Sequence, residues 1–194
     1  DPQNPSNYLA LARVEISKNE LDKAAANLEK SLQLKNDYAP ARFLLVQIYD
    51  RQGKLADAIK KAEELVMLNN TDVGALFQLG FLYYKNSQFD QSKLVFERTV
   101  ELSPNYSNAR YFLGLIYDGS TSLTASEKKT KALEQFEKIS ELNPDNSEVK
   151  QILANLKTSK PALFGIAPPA PAPQNRTEAP VFEGMKAPVQ PLKK

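Results

Sequence analysis

The segment VGALFQLGFLYYKNSQFDQSKLVFERTVELSPNY, Val73 to Tyr106, decides how the rest of the chain is read. Leu79-Gly80, Tyr83, Phe89, Ser92, Phe96, Thr99 and Pro104 fall on two apolar helical faces joined at Asn86-Ser87-Gln88. The unit has the 34-residue period of a helix-turn-helix repeat. Gly80 and Ser92 are small where two helices must cross closely, because a bulky side chain there would hold the backbones apart.

Leu-Gly, Tyr, a small residue, Phe and Pro at these offsets resemble a tetratricopeptide repeat, and the resemblance extends over Pro5 to Lys160. It implies an all-α fold: a right-handed superhelical solenoid of four helix pairs plus a capping helix, with an extended proline-rich tail behind it. It also implies a binding scaffold rather than a chemistry.

The repeats divide the chain. Residues 1–4, Asp1-Pro2-Gln3-Asn4, read as the end of a preceding repeat or a leader, with Asn4 capping the next helix and Pro5 in its first turn. The first repeat is 5–38, with Tyr8, Leu11-Ala12, Ala24, Leu28 and Ser31 in register but Glu15 in place of the usual aromatic. The second is 39–72, with Gly53 as the residue that ends its first helix. The third is 73–106. The fourth, 107–146, carries a six-residue insertion within Gly119 to Thr130, where Thr124-Ala125-Ser126-Glu127 has the spacing of a capping box and predicts an early start to a lengthened second helix.

Residues 147–160 read as a capping helix, with Val149, Ile152, Leu153 and Leu156 on its inner face and Glu148, Lys150, Gln151, Asn155 and Lys157 making the polar exterior that a terminal repeat needs. At the other end Tyr8, Leu9, Leu11, Val14 and Ile16 are apolar most of the way round, which predicts that something covers them. Residues 161–194 hold most of the prolines. Ala167 to Pro173 should favour polyproline II and the remainder should be irregular. The passage from Leu156 to Leu163 and the proline-rich tail also resemble the C-terminal ends of bacterial surface-glycan polymerase or ligase-like proteins, which implies a bacterial origin at the cell surface or outside it.

Composition excludes several functions. With no cysteine or histidine, a thiol nucleophile, a serine-histidine pair, an imidazole metal site and a disulfide framework have no side chains to use. The 23 acidic and 25 basic residues are interspersed as solvated helix faces are, so no catalytic residue, cofactor or metal site is expected. A net charge of +2 without a basic stripe does not suit nucleic acid. No apolar run approaches a membrane span. Lacking an initiating methionine and a signal segment, the chain is expected to be a processed product or a piece of something longer.

In the family that is resembled, the first helix of each pair lines a concave groove. Carried across, the resemblance places Leu9, Arg13, Phe43, Gln47, Asp50, Arg51, Phe77, Phe81, Tyr84, Lys85, Tyr111, Leu115 and Asp118 in that groove. An aromatic row with scattered polar groups suits an extended apolar or proline-containing peptide. The positions at which family members clamp an acidic chaperone C-terminus hold Leu9, Arg13, Leu44, Gly74 and Gln78, of which only Arg13 can grip a carboxylate, so that role is not expected.

Phe164, Ile166 and Phe182 are unusual in a pure spacer and are expected to anchor the tail on a neighbouring copy. Asn69, Asn105 and Asn175 stand in Asn-x-Ser/Thr sequons and are candidate glycan acceptors. The function expected is a non-enzymatic protein-protein interaction scaffold. Its specific form is a self-assembling structural subunit that adds head to tail. The alternatives are an adaptor whose aromatic groove takes another protein's peptide, and an appendage of a larger bacterial membrane protein.

Overall fold

The computed structural model describes residues 2–166, and among them are nine α-helices and no strand. They are α1 Pro5–Ser17, α2 Leu21–Leu34, α3 Ala39–Arg51, α4 Leu55–Leu68, α5 Val73–Lys85, α6 Phe89–Leu102, α7 Ser107–Gly119, α8 Ala125–Leu142 and α9 Ser147–Lys157. They form two compact units that divide between Asn86 and Ser87, the first holding α1 to α5 and the second α6 to α9. Within each unit every helix packs on its sequence neighbours.

Local chemistry explains where the helices begin. Asn4 and Asp72 accept hydrogen bonds from the first free amides of α1 and α5, at 2.9 Å from Ser6 N and 2.9 Å from Gly74 N. Thr124 and Glu127 form the reciprocal capping box expected of them, and α8 runs to 18 residues where α2, α4 and α6 have 14. The insertion is thus a lengthened turn followed by an extra helical turn. After the first helix of each early repeat the chain turns through a left-handed residue, at Asn19 (φ 59°), Gly53 (φ 73°) and Ser87 (φ 59°), each 34 positions after the last. Only one of the three is the glycine for which that conformation is cheap.

Leu9, Ala12, Ala24, Ala25, Leu28, Ala41, Leu45 and Ile48 build the core around α1, α2 and α3. In the second unit Phe96, Phe136, Ile139, Val149 and Ile152 are fully enclosed, and burying each such side chain contributes about 1.5–3 kcal/mol. Gly114 of α7 lets the Phe136 ring of α8 lie against its backbone: a Cβ built on Gly114 would stand 2.6 Å from Phe136 Cε2. Tyr111 meets the same ring edge-on, with centroids 5.7 Å apart at 89°. Phe112 stacks on Phe96 at 5.7 Å and 15°.

A second set of contacts also keeps the repeat period. Tyr49 Oη donates to Glu29 Oε1 at 2.9 Å, Tyr83 to Glu63 at 2.6 Å and Tyr117 to Glu97 at 2.7 Å. Each bond joins the second helix of one pair to the first helix of the next, across 20 residues of sequence. Lys157 and Glu137 take the same two places between α8 and α9, as an ion pair at 3.7 Å. Burial, and then the carboxylate that accepts the proton's hydrogen bond, push the Tyr49 and Tyr83 phenols up to about 12 and Tyr117 up as well.

Beyond α9 the backbone turns back instead of extending. Ser159 is left-handed at φ 58°, Phe164 N donates to Pro161 O at 2.9 Å, and Ile166 N donates to Leu163 O at 3.1 Å. The extended start expected from proline content is corrected here: Pro161 sets a turn, and side chains of α7 and α9 hold it. The polyproline run expected at 167–173 lies outside the described residues.

Candidate functional site

Side chains on the first-helix face of α1, α3 and α5 come from positions that recur every 34 residues. Leu9 is part of the α1–α2–α3 core and does not line a surface. Arg13 is exposed on α1, while Phe43, Gln47, Asp50 and Arg51 are half-buried on α3. On α5, Phe77 is buried, Phe81 and Tyr84 are half-buried and Lys85 is exposed. Phe77 and Phe81 stack with centroids 6.5 Å apart at 13°. The Phe43 ring reaches Gly74, where a Cβ would lie 4.0 Å from Phe43 Cε2, so α3 and α5 share one aromatic surface.

Charges close one side of it. Lys85 Nζ donates to Asp50 Oδ1, linking α5 to α3, and lies 5.7 Å over the Phe81 ring. Arg51 Nη2 donates to Asn19 Oδ1 at 3.2 Å. Burial pushes the Tyr84 phenol up. One of the clamp positions, buried in α5, breaks the apolar pattern of its equivalents. Gln78, one helical turn before Phe81, is 1% exposed, and among the described residues neither atom of its amide has a hydrogen-bond partner. At the equivalent places in α3 and α7 stand Leu44 and Phe112, so the departure from an apolar pattern was the available signal.

The matching face in the second unit is filled. Tyr111 is buried, and its hydroxyl donates to Glu148 Oε1 of α9 at 2.7 Å. Asp118 Oδ2 accepts from Ala162 N at 2.8 Å. Asn155 Nδ2 donates to Ala162 O at 3.0 Å and to Phe164 O at 2.8 Å, and Gln151 Nε2 donates to Gly165 O at 3.3 Å. The expectation of a polar, solvent-facing exterior holds for exposed Gln151 and is corrected for Asn155, which is buried. Asn155 is 8% exposed, and Glu148, Gln151 and Asn155 all grip other parts of the chain.

Leu115 is half-buried on the same face. Among the expected anchors, Phe164 is 56% exposed and carries Lys160 Nζ 5.1 Å over its ring; Ile166 is half-buried, and Phe182 lies outside the described residues. Asn69 and Asn105 are exposed in turns between helices, Asn69 Oδ1 accepting from Thr71 N at 3.1 Å, while Asn175 lies outside the described residues.

Such a surface offers apolar area, carboxylates and side-chain amides that bond a peptide main chain. Apart from Tyr84 and Arg110, whose guanidinium is pushed down by burial, the groups whose ionisation is shifted belong to the tyrosine-glutamate contacts, to helix caps and to ion pairs. No helix among the described residues is long and apolar enough to cross a membrane.

Comparison with known proteins points to the same repeat family. Tetratricopeptide-repeat family models match residues 15–60 and 74–106. The chain is 25% identical over 113 residues to anaphase-promoting complex subunit 3 of Schizosaccharomyces pombe, covering 58% of this chain and 16% of that protein. It is 30% identical over 102 residues to an uncharacterised protein of Haemophilus influenzae, covering 50% of this chain and 56% of that one. The chain thus spans well under two thirds of either relative.

Among solved structures it is similar to MamA, with a TM-score of 0.69 at 22% identity over 80% of this chain and 81% of that one. YrrB, described as a TPR protein with an unusual peptide-binding site, gives 0.66 at 22% identity over 84% of each chain. Repeat matches on both sides of residue 73, helices that alternate with the repeat period and structures of the same fold agree: the chain is a tetratricopeptide-repeat protein.

Proposed function

We propose that this interaction scaffold binds an extended peptide of another protein on the face that α3 and α5 present, without chemistry of its own. The observation that carries the reading is the use the same chain makes of the equivalent face in α7 and α9. There Asp118, Gln151 and Asn155 bond a peptide main chain, on helices built to the same pattern as α3 and α5. On α3 and α5 the corresponding surface offers the half-buried rings of Phe43 and Phe81, the latter backed by buried Phe77. YrrB, a protein of the same fold, has a peptide-binding site of its own.

The test is selection of binders from a library of extended apolar and proline-containing peptides, followed by anisotropy titration of the full chain and Phe81→Ala. Selected peptides should lose about 1–3 kcal/mol of binding in Phe81→Ala, the range of a well-packed interface anchor. Binders indifferent to the substitution, or no binders at all, would refute the assignment.

Exposed apolar side chains support a second reading, self-association. Leu11 and Val14, three residues apart on α1, are each 51% exposed, although Leu45, Leu79 and Leu113 at the place of Leu11 are buried. A second copy covering α1 would give a heterologous contact that propagates head to tail. Light scattering over a concentration series would show growth in the wild type and none in Leu11→Asp; a monomer at every concentration would dismiss this reading.

A further inference from the structure

We propose that residues 160–165 are a displaceable occupant of a peptide site on α7 and α9, and that the same segment of a second copy is the partner that exchanges with it. This rests on the reading that first-helix faces take peptide, and it names what one of those faces selects. Four hydrogen bonds from three side chains on two helices reach the segment, and all four end on its main chain: Ala162 N, Ala162 O, Phe164 O and Gly165 O. Leu163 and Phe164 are 43% and 56% exposed, so their side chains are not what is recognised. Only Ala162 is enclosed, at 1%, and a larger side chain there has no room.

The preceding proline fits the same logic. Pro161 brings no amide proton that would need a partner, and its fixed φ presets the turn in which Phe164 N reaches Pro161 O. The site therefore selects a proline followed by a small residue and is otherwise blind to sequence.

Ending α9 does not require this grip. Thr158 N and Ser159 N already reach back to α9 carbonyls, and Thr158 Oγ1 adds bonds to Ala154 O and Asn155 O. The Asp118, Gln151 and Asn155 side chains hold a separate piece of chain that left-handed Ser159 has redirected across them. A tether this short gives the cis segment an effective concentration in the millimolar range, so a free peptide of the same sequence is excluded until the cis segment is ejected.

Ala162→Arg in the full chain should eject the segment and leave the site open. The probe is a labelled synthetic peptide of residues 158–167, titrated by anisotropy, with far-UV circular dichroism as the check on folding. Ala162→Glu serves if the arginine variant does not fold. Peptide binding should be about tenfold or more tighter to the ejected variant than to the wild type. Adding Asn155→Ala should remove it.

For the source, Ala162→Arg supplies an open site and Asn155→Ala supplies a released segment, so mixing the two should give a one-to-one complex by light scattering that neither forms alone. A folded Ala162→Arg that ignores the peptide, or a wild type that binds it equally well, overturns the site. Peptide binding without a mixed complex overturns the second copy as its source. Either failure leaves the α3–α5 face to its own test with Phe81→Ala.

Discussion

Replacing Gly114 by alanine should change sign with the identity of residue 136. In the wild type the new Cβ would stand 2.6 Å from Phe136 Cε2, 2.9 Å from Cζ and 3.1 Å from Cδ2. Those are ring atoms of a fully buried side chain that Tyr111 already meets edge-on, so the ring cannot swing aside without displacing its neighbours. Overpacking of this kind costs about 1–3 kcal/mol. Against it stands the helix preference of alanine over glycine, about 1 kcal/mol. The expected net is a loss of about 1 kcal/mol, with an upper bound near 2 kcal/mol.

In a Phe136→Leu background the ring is gone and the helix preference acts alone, so the same substitution should stabilise by up to about 1 kcal/mol. The coupling in the double-mutant cycle is then about 2 kcal/mol, well outside the additivity expected of independent sites. Urea unfolding followed by circular dichroism measures all four proteins. If Gly114→Ala stabilises in both backgrounds, the ring does not rest on this glycine and the α7–α8 crossing is misplaced.

Three further outcomes follow from the same contacts. Ser87→Gly should stabilise by about 0.5–1 kcal/mol, and Gly53→Ser should destabilise by about the same in denaturant titrations, since nothing lies within 4 Å of a Cβ on Gly53 and the backbone angle is the whole difference. Gln78→Leu should raise stability by about 1 kcal/mol or more, because a buried amide with no partner among the described residues is replaced by the residue found at Leu44; a stability loss would mean the amide is satisfied. The tyrosine contacts predict an alkaline limit. The folded phenols of Tyr49 and Tyr83 lie near 12, above an unfolded value of about 10, so their contribution is complete below pH ~10 and disappears as pH climbs through 12. The thermal midpoint should fall over that window, and less steeply in a triple Tyr→Phe variant at 49, 83 and 117. Equal slopes would remove these phenols from the account.

Much of the fold was legible because its determinants recur at one spacing and need no distant information. Ala24, Ala58 and Ser92 are small and buried at the repeat period, and Thr124 and Glu127 meet as a local box. The turns were only partly legible: Gly53 declared a left-handed residue, whereas Asn19 and Ser87 adopt the same angle without glycine and follow only from counting 34 forward and back. By pattern alone the glutamates at 29, 63 and 97 are solvated helix surface. The recurring 20-residue offset from each tyrosine is present in the sequence, but it becomes meaningful only once helix pairs are known to stack in order.

Residues 160–166 were not legible at all. Proline content argues for extension, and what folds them back is Asp118, more than forty residues away, together with Gln151 and Asn155. The candidate groove suffered for the same reason: Tyr111 and Asp118 occupy groove positions, yet the chain itself already uses them.

The constant offset between glutamate and tyrosine makes the array editable in length. Excise Ala39 through Asp72, and Tyr83 falls 20 positions after Glu29, the separation at which Tyr49 now meets that carboxylate. The splice carries its own fastening, because each unit brings the acceptor for its successor and the donor for its predecessor, and couples only to those two. A chain joined this way can gain or lose whole units by recombination within its coding sequence without a mismatched joint, so long as the crossover points lie a full period apart.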